Sequence, residues 1–401
     1  MTEGEPSPSS ERRWRRSLLT AVACASVGVV VHYLGPVLPV QLAALGLGVG
    51  LIGAAFILAW AADAGEAVFS GGLLLAAIAL VTVLPEFVIE VRFAFIQHVE
   101  LVTANLTGAT RLLLAAALGL TLVVTLLART GRAPDQLVRL NDNRRLELGI
   151  LLITSVFAIQ FSVRGNLTVF DSAFLLWLYY LYARRVQGTH DEEPAVVGVA
   201  AGLLSLPERR QRPTILAMIV GAGAVVLLVA NPFTDALLAT GASIGLDPYL
   251  LIQSVVPVAT ESPEFVVVAV LVANHRPAQG MALFLAASVS QWTLGLGALP
   301  VAYMAGGGGP LMPLAAREQL ELAVTIAMTL FVVAALATLR PARVDAVLAT
   351  VVFAAQIIYP TVPVRLAATF VLIVFALDLL LAHRRDVRPV LRAAWGRRRT
   401  Q

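Results

Sequence analysis

Residues 81–88 read VTVLPEFV and residues 259–266 read ATESPEFV. Each places a threonine three residues before a Pro-Glu-Phe-Val tetrapeptide, in the middle of a long apolar stretch. A helical proline cannot donate to the carbonyl four residues back and clashes with it. Pro85 therefore frees the carbonyl of Val81, and Pro263 that of Ala259. In lipid, such groups are tolerated only where protein or a wet cavity satisfies them. Beside each break stand a hydroxyl (Thr82, Thr260) and a carboxylate (Glu86, Glu264). Ionisable groups in membrane spans are costly, and function is their default meaning.

The chain around these motifs has 401 residues, 58% hydrophobic and 13% charged, with mean hydropathy +0.83. Soluble domains carry about a quarter charged residues, so the apolar excess must face lipid. The single cysteine, Cys24, excludes a disulfide framework. All 29 basic residues are arginine, and they cluster between apolar runs, a pattern that reports membrane orientation rather than nucleic-acid binding. A spanning helix needs about 20 apolar residues. Twelve runs qualify: 17–34, 41–62, 72–96, 102–127, 147–163, 167–183, 214–231, 249–273, 279–303, 319–339, 342–359 and 363–382. The runs are continuous and long, which excludes a β-barrel. The first is read as a retained span rather than a cleaved leader, because no small-residue cleavage pattern follows it before Pro36.

With twelve helices and a cytoplasmic N-terminus, only Arg92, Arg111, Arg164, Arg317 and Arg365 fall outside the inner segments, apart from Arg343 at the inner end of a span. This bias puts both termini in the cytoplasm of a multi-pass cell-membrane protein, the prokaryotic inner or plasma membrane. The acidic stretch Asp63–Glu66 is then expected in an inner loop.

The two PEFV motifs lie in the third and eighth runs, an odd offset, so they cross the membrane in opposite directions. Such inverted repeats place the substrate site at their interface near the midplane. The expected fold is all-α and polytopic, with two inverted five-helix repeats containing broken helices and one flanking helix at each end. The corresponding division is 1–40 (N-tail and first helix), 41–186 (first repeat), 187–213 (cytoplasmic linker), 214–360 (second repeat) and 361–401 (last helix and basic tail). Paired carboxylates, hydroxyls and bared carbonyls make an all-oxygen cage. Hard cations, Ca²⁺ above all, prefer that set, and protons compete for the same carboxylates.

These residues resemble the cation/calcium exchanger superfamily, antiporters that move Ca²⁺ against Na⁺ or H⁺. The family's Gly-Thr-Ser-x-Pro-Glu pattern is met by Val81–Glu86 and Ala259–Glu264. Its asparagine- and glycine-rich second pattern is met by Ala104–Thr110 and, more weakly, by Ala286–Gln291. The resemblance covers roughly 41–359. It implies that Glu86 and Glu264 are the paired cation and metal ligands, that Thr82 and Thr260 add oxygens, and that Gln291 adds a side-chain carbonyl. Ser288 and Asn105 belong to the same ligand set, and Glu261 is an additional carboxylate one turn from Glu264. The family glycines are replaced by Val81 and Ala259. Gln291 and its serine-rich surroundings look closer to the proton-coupled branch.

Arg111, about midway along a span, is always charged. It either neutralises Glu86 or Glu90, or acts as a tethered positive charge replacing one cation site. Glu90, Arg92, His98 and Glu100 read as a solvated rim, and His190–Glu193 as a solvated linker. Residues 195–206 are apolar but short, and are expected on the inner membrane surface. Gly306–Gly309 reads as a flexible outer loop, and the arginine-rich tail as an anionic-lipid contact.

The implied function is a secondary antiporter exchanging a cation, Ca²⁺ foremost, for protons or Na⁺ by alternating access. It works with no enzymatic step and no cofactor; its partners are inorganic cations and membrane lipids, with no nucleic acid. The alternatives are a Na⁺/H⁺ exchanger on the same fold, a transport-incompetent sensor or scaffold favoured by Arg111 and the lost glycines, and an intramembrane enzyme using Glu86, Glu261 and Glu264.

Overall fold

The computed structural model describes residues 8–69, 83–128, 138–186 and 196–395, and nearly all of them are helical. Chain order gives α1 (Pro8–Leu34), α2 (Val40–Val68), α3 (Leu84–Phe95), α4 (Val99–Ala128), α5 (Arg145–Arg164) and α6 (Val169–Val186). Next come α7 (Gly198–Leu204), α8 (Glu208–Ser243), α9 (Pro248–Thr260), α10 (Ser262–Ala273) and α11 (Pro277–Ser290). A π-helical turn, Gln291–Gly295, leads into α12 (Leu296–Ala305). The chain ends in α13 (Ala316–Leu336), α14 (Arg343–Ile358), α15 (Val362–Ala382) and α16 (Arg384–Trp395).

Eight of the described helices are long and apolar enough to cross a membrane, and the bent pair α9–α10 brings the number to nine. Each of the twelve apolar runs is mostly helical where it is described, though the 167–183 run begins in a short strand. Three fall short of that standard. Residues 70–82, the first half of the 72–96 run, lie outside the described residues; α14 has 16 residues, and α6 carries Asp171, Arg184 and Arg185.

The chain forms two compact units, each drawing on both halves of the sequence. The first takes residues up to Ile89 together with Gln187–Val270, and the second takes Glu90–Val186 with Leu271 onward.

In the first unit, α2 packs along α1 and α8. A Cβ on Gly28 would sit 2.6 Å from Gly50 Cα, and one on Gly50 would sit 2.3 Å from Gly28 Cα. Two facing glycines thus let the α1 and α2 backbones touch, the usual way to gain dispersion contact between helices in lipid. Two sequence expectations are corrected here. Asp63 and Glu66 lie within α2, not in a loop, because an alanine-rich stretch carries the helix to Val68. Residues 198–204 are not held by a membrane surface alone. Val199, Ala200 and Leu203 are buried against Ala61, Ala64 and Ile215 under Trp14 and Trp60, and a Cβ on Gly202 would come within 2.4 Å of the Trp14 ring.

In the second unit, α13 is the most enclosed helix and packs on α4, α5 and α15. Two short strands, β1 (Asn166–Thr168) and β2 (Leu311–Pro313), pair antiparallel with Leu167 opposite Met312. No strand was expected from the sequence. Gly165 ends α5 at φ +71°, a left-handed position that suits glycine. The basic tail is more than a lipid contact, because its described part, α16, docks on α5. Val390 and Ala394 are buried there, where Gly149 leaves no room for a Cβ. The Arg185 guanidinium bonds the carbonyls of Ala393 and Ala394, and Arg384, Arg385, Arg388 and Arg392 remain exposed. Residues 190–193 lie outside the described residues.

Candidate functional site

The second PEFV copy sits at a helix break. α9 ends at Thr260, α10 begins at Ser262, and their axes bend by 49°. Pro263 removes a donor from the ladder, and the structure compensates locally. The Ser262 hydroxyl donates to the Ala259 carbonyl at 2.9 Å, so the carbonyl expected to be bare is satisfied within its own turn. The Glu261 amide closes α9 on the Pro257 carbonyl at 2.9 Å. Glu264 then falls in the first turn of α10. Glu86 occupies the first turn of α3, directly after Pro85. In each case a carboxylate stands where the helix dipole favours negative charge. Val81 and Thr82 lie outside the described residues.

Glu86, Thr260, Glu261 and Glu264 all belong to the first unit, and the fold brings the two PEFV carboxylates together. Glu264 lies within electrostatic reach of both Glu86 and Asp63, and the Glu86 carboxyl and Thr260 hydroxyl are hydrogen-bonded. The same hydroxyl lies 3.1 Å from the Val256 carbonyl. Glu86, Thr260 and Glu261 are buried. One oxygen on each carboxylate, Oε2 of Glu86 and of Glu264, is buried without a hydrogen-bond partner. A buried oxygen of this kind costs about 1–3 kcal/mol unless something pairs with it, and a proton or a cation would. Among the described residues no group of three or more His, Cys, Asp or Glu side chains is arranged to hold a metal ion. Carboxylates alone therefore do not complete a shell; hydroxyl and carbonyl oxygens must contribute. Asp63 is the neighbour that sequence reading missed, because it was placed in a loop.

The remaining expected ligands lie in the second unit. Asn105 is wholly buried on α4 and donates through Nδ2 to Glu90 Oε1 at 3.1 Å. Gln291 is buried in the π turn, and Ser288 donates to the Phe284 carbonyl at 2.8 Å. Glu90 corrects the solvated-rim expectation. It is 0% exposed, because the turn after Glu86 points the same helix face inward. His98 and Glu100 do behave as a rim; they are exposed and pair at 3.1 Å.

Arg111 is also corrected. Its charge partner is neither Glu86 nor Glu90 but Glu321 on α13, with Nη2 to Oε2 at 2.7 Å. Nη1 donates to Gln356 at 2.5 Å, and Nε to the Thr107 carbonyl at 3.1 Å. Glu321 also holds Arg365 of α15. All four side chains are buried. The cluster ties α4, α13, α14 and α15 together, and a guanidinium held this way is a structural clamp rather than a tethered charge in a cation site. Partners of Arg111 lying 210 and 245 residues along the chain gave the sequence no local sign of it.

Residues 38–186 match the family model described as "Sodium/calcium exchanger protein". Among solved structures, the H⁺/Ca²⁺ exchanger CAX is similar at 28% identity and TM-score 0.85, over 95% of this chain and 99% of that one. These two matches support a place in the cation/calcium exchanger superfamily. The likeness extends, as fold alone, to the Ca²⁺/H⁺ antiporter protein YfkE (13% identity, TM-score 0.61, 86% and 99% covered). It reaches the sodium-calcium exchanger NCX_Mj as well (16% identity, TM-score 0.51, 86% and 100% covered). A comparison with curated proteins matched none. The family model and the CAX structure both describe exchangers rather than enzymes, which weighs against the intramembrane-enzyme alternative.

Proposed function

We propose that this exchanger is a secondary antiporter that moves Ca²⁺ against protons or Na⁺ by alternating access. Glu86 and Glu264 are its paired ligands, assisted by Thr260 and by backbone oxygens at the helix breaks. One observation carries the reading: two copies of one tetrapeptide, 178 positions apart in the chain, converge in a single unit with their carboxylates in mutual electrostatic reach. Like charges this close demand a counter-charge. A divalent cation supplies it in one step, and protons or Na⁺ supply it when the divalent ion leaves. Occupancy therefore alternates, and the empty, doubly charged site stays rare.

The 49° break and the paired prolines fit two inverted five-helix repeats within twelve spans, flanked by one helix at each end. The arginine distribution supports cytoplasmic termini in a cell membrane. The match to CAX favours protons as the counter-ion. With Arg111 neutralised by Glu321, the strongest support for a transport-incompetent scaffold is gone.

The test is ⁴⁵Ca²⁺ flux in everted vesicles under an imposed pH or Na⁺ gradient. Glu264→Gln and Glu86→Gln should each abolish exchange while the protein remains in the membrane. Wild-type flux in either variant would defeat the assignment.

A further inference from the structure

The last helix, α16, presents a face that nothing among the described residues covers. At the α-helical repeat, Arg384, Arg385, Arg388, Leu391, Arg392 and Trp395 fall within an arc of about 120°, and each of them is exposed. Every other residue of α16 is buried or half-buried, with Val390 and Ala394 closed against α5. Among the described residues, none of these arginines has a carboxylate partner. The depth of this face is set by its neighbours. α15 and α5 are both long and apolar enough to span a membrane. α16 begins directly after the end of α15 and crosses the start of α5, where Gly149 meets Ala394. Arg145, at the start of α5, donates to the Asp386 carbonyl at 3.4 Å, and Arg185, at the end of α6, bonds the carbonyls of Ala393 and Ala394. These helix ends fix α16 at the level where apolar spans give way to headgroups. An aromatic row marks the same level independently. Trp395 meets the exposed Trp177 of α6 edge-on, ring centroids 6.4 Å apart, and the row continues through Phe174 to Phe157 of α5. Tryptophan favours the boundary between membrane and water.

We propose that this face is a docking surface for anionic phospholipid, the guanidinium groups taking the phosphodiester oxygens of the headgroups while Leu391 and Trp395 enter the acyl boundary. The surface is separate from the Glu86–Glu264 pair and does not depend on the antiport reading. Chemistry selects the partner. Guanidinium forks match phosphate oxygens with paired, charge-assisted hydrogen bonds. Leucine and tryptophan interleaved with arginines on one face gain nothing from open water, whereas headgroup level satisfies both kinds of group. An acidic protein or a nucleic acid approaching from water would have to displace the lipid beside Trp177 to reach Trp395. The surface is also tied into the fold. Arg145 reaches the Ala337 carbonyl at the end of α13 at 3.5 Å as well as α16, so lipid held on α16 braces α5, α6 and α13. A ligand that binds only the folded state raises its unfolding midpoint.

The experiment uses the full chain, purified and delipidated in a neutral detergent, and reads the thermal unfolding midpoint. Solubilised phosphatidylglycerol, phosphatidylcholine or inorganic phosphate is titrated in, with elution as a single species as the folding control. Phosphatidylglycerol should raise the midpoint saturably, and the other two should not. The double variant Arg388→Gln, Arg392→Gln should raise the half-saturating phosphatidylglycerol concentration about 25-fold, about fivefold for each arginine. The double variant Arg209→Gln, Arg210→Gln removes the same charge from an exposed stretch of the first unit, and should stay within about twofold of wild type. Equal stabilisation by phosphatidylcholine overturns the proposal, and so does equal stabilisation by inorganic phosphate, which would show a site for free anions. An unchanged half-saturation in the 388/392 variant overturns it too, as does an equal loss in the 209/210 variant, which would mean that diffuse positive charge attracts the lipid. If the 388/392 variant does not elute as a single species, the comparison of the three additives on wild-type protein decides alone.

Discussion

Glu321→Gln should be among the most destabilising single substitutions in this protein. Glu321 is 0% exposed and sits between the guanidinium groups of Arg111, at 2.7 Å, and Arg365. Glutamine preserves the shape but removes the charge that two buried cations share. Removing one partner of a buried ion pair typically costs about 3–5 kcal/mol, because the desolvated charge left behind is uncompensated. At about 2–4 °C per kcal/mol for a folding unit of this size, the unfolding midpoint should fall by about 6–20 °C. The assay is thermal unfolding in detergent, followed by tryptophan fluorescence and by loss of the monodisperse elution peak. The triple variant Arg111→Met, Glu321→Leu, Arg365→Met provides the contrast. It replaces the ionic cluster with apolar side chains of similar length, and such exchanges are often neutral or stabilising, so it should recover most of the loss. A Glu321→Gln midpoint within about 1 °C of wild type would refute the argument, since that is well under the shift of one kcal/mol. So would a triple variant as unstable as the single one, which would show that the cluster's specific hydrogen bonds matter more than its charge.

Thr329→Val leaves the buried Trp292 indole N–H without the acceptor it holds at 2.9 Å, and should cost about 1–3 kcal/mol in the same assay. Gly50→Val forces α1 from α2, where a Cβ already meets Gly28 Cα at 2.3 Å; about 1–3 kcal/mol should be lost by overpacking, and an unshifted midpoint would mean the two helices do not touch there. Asp63→Asn removes a negative charge within reach of Glu264 and should weaken ⁴⁵Ca²⁺ binding about fivefold, the ~1 kcal/mol of a partly screened charge; equal affinity would show that Asp63 takes no part. Arg111→Lys should behave like a mild form of Glu321→Gln, because an ammonium cannot reach Glu321, Gln356 and the Thr107 carbonyl together; a wild-type midpoint would refute the clamp.

The sequence alone determined the features set by local composition and periodicity. Twelve apolar runs required helices in lipid, because nothing else satisfies the backbone there. The Pro-Glu pair at 263–264 marked the bend between α9 and α10, and its duplicate at 85–86 singled out Glu86 and Glu264 as candidates, because proline acts on its own turn wherever it stands. What it could not determine were features that depend on partners far along the chain. Residues 198–204 looked surface-bound until their apolar face met Trp14, Ala61 and Ile215. Glu90 looked like rim, and only the approach of Asn105 and Gln291 shows that it is enclosed. Arg111 was paired in sequence with Glu86 or Glu90, whereas helices α13 and α14 bring Glu321 and Gln356 to it, and Arg365 of α15 shares Glu321. The identities of charged residues were legible in one dimension, whereas their neutralisation was decided by packing. In a medium without water to screen it, a charge is satisfied only by whatever the fold places against it.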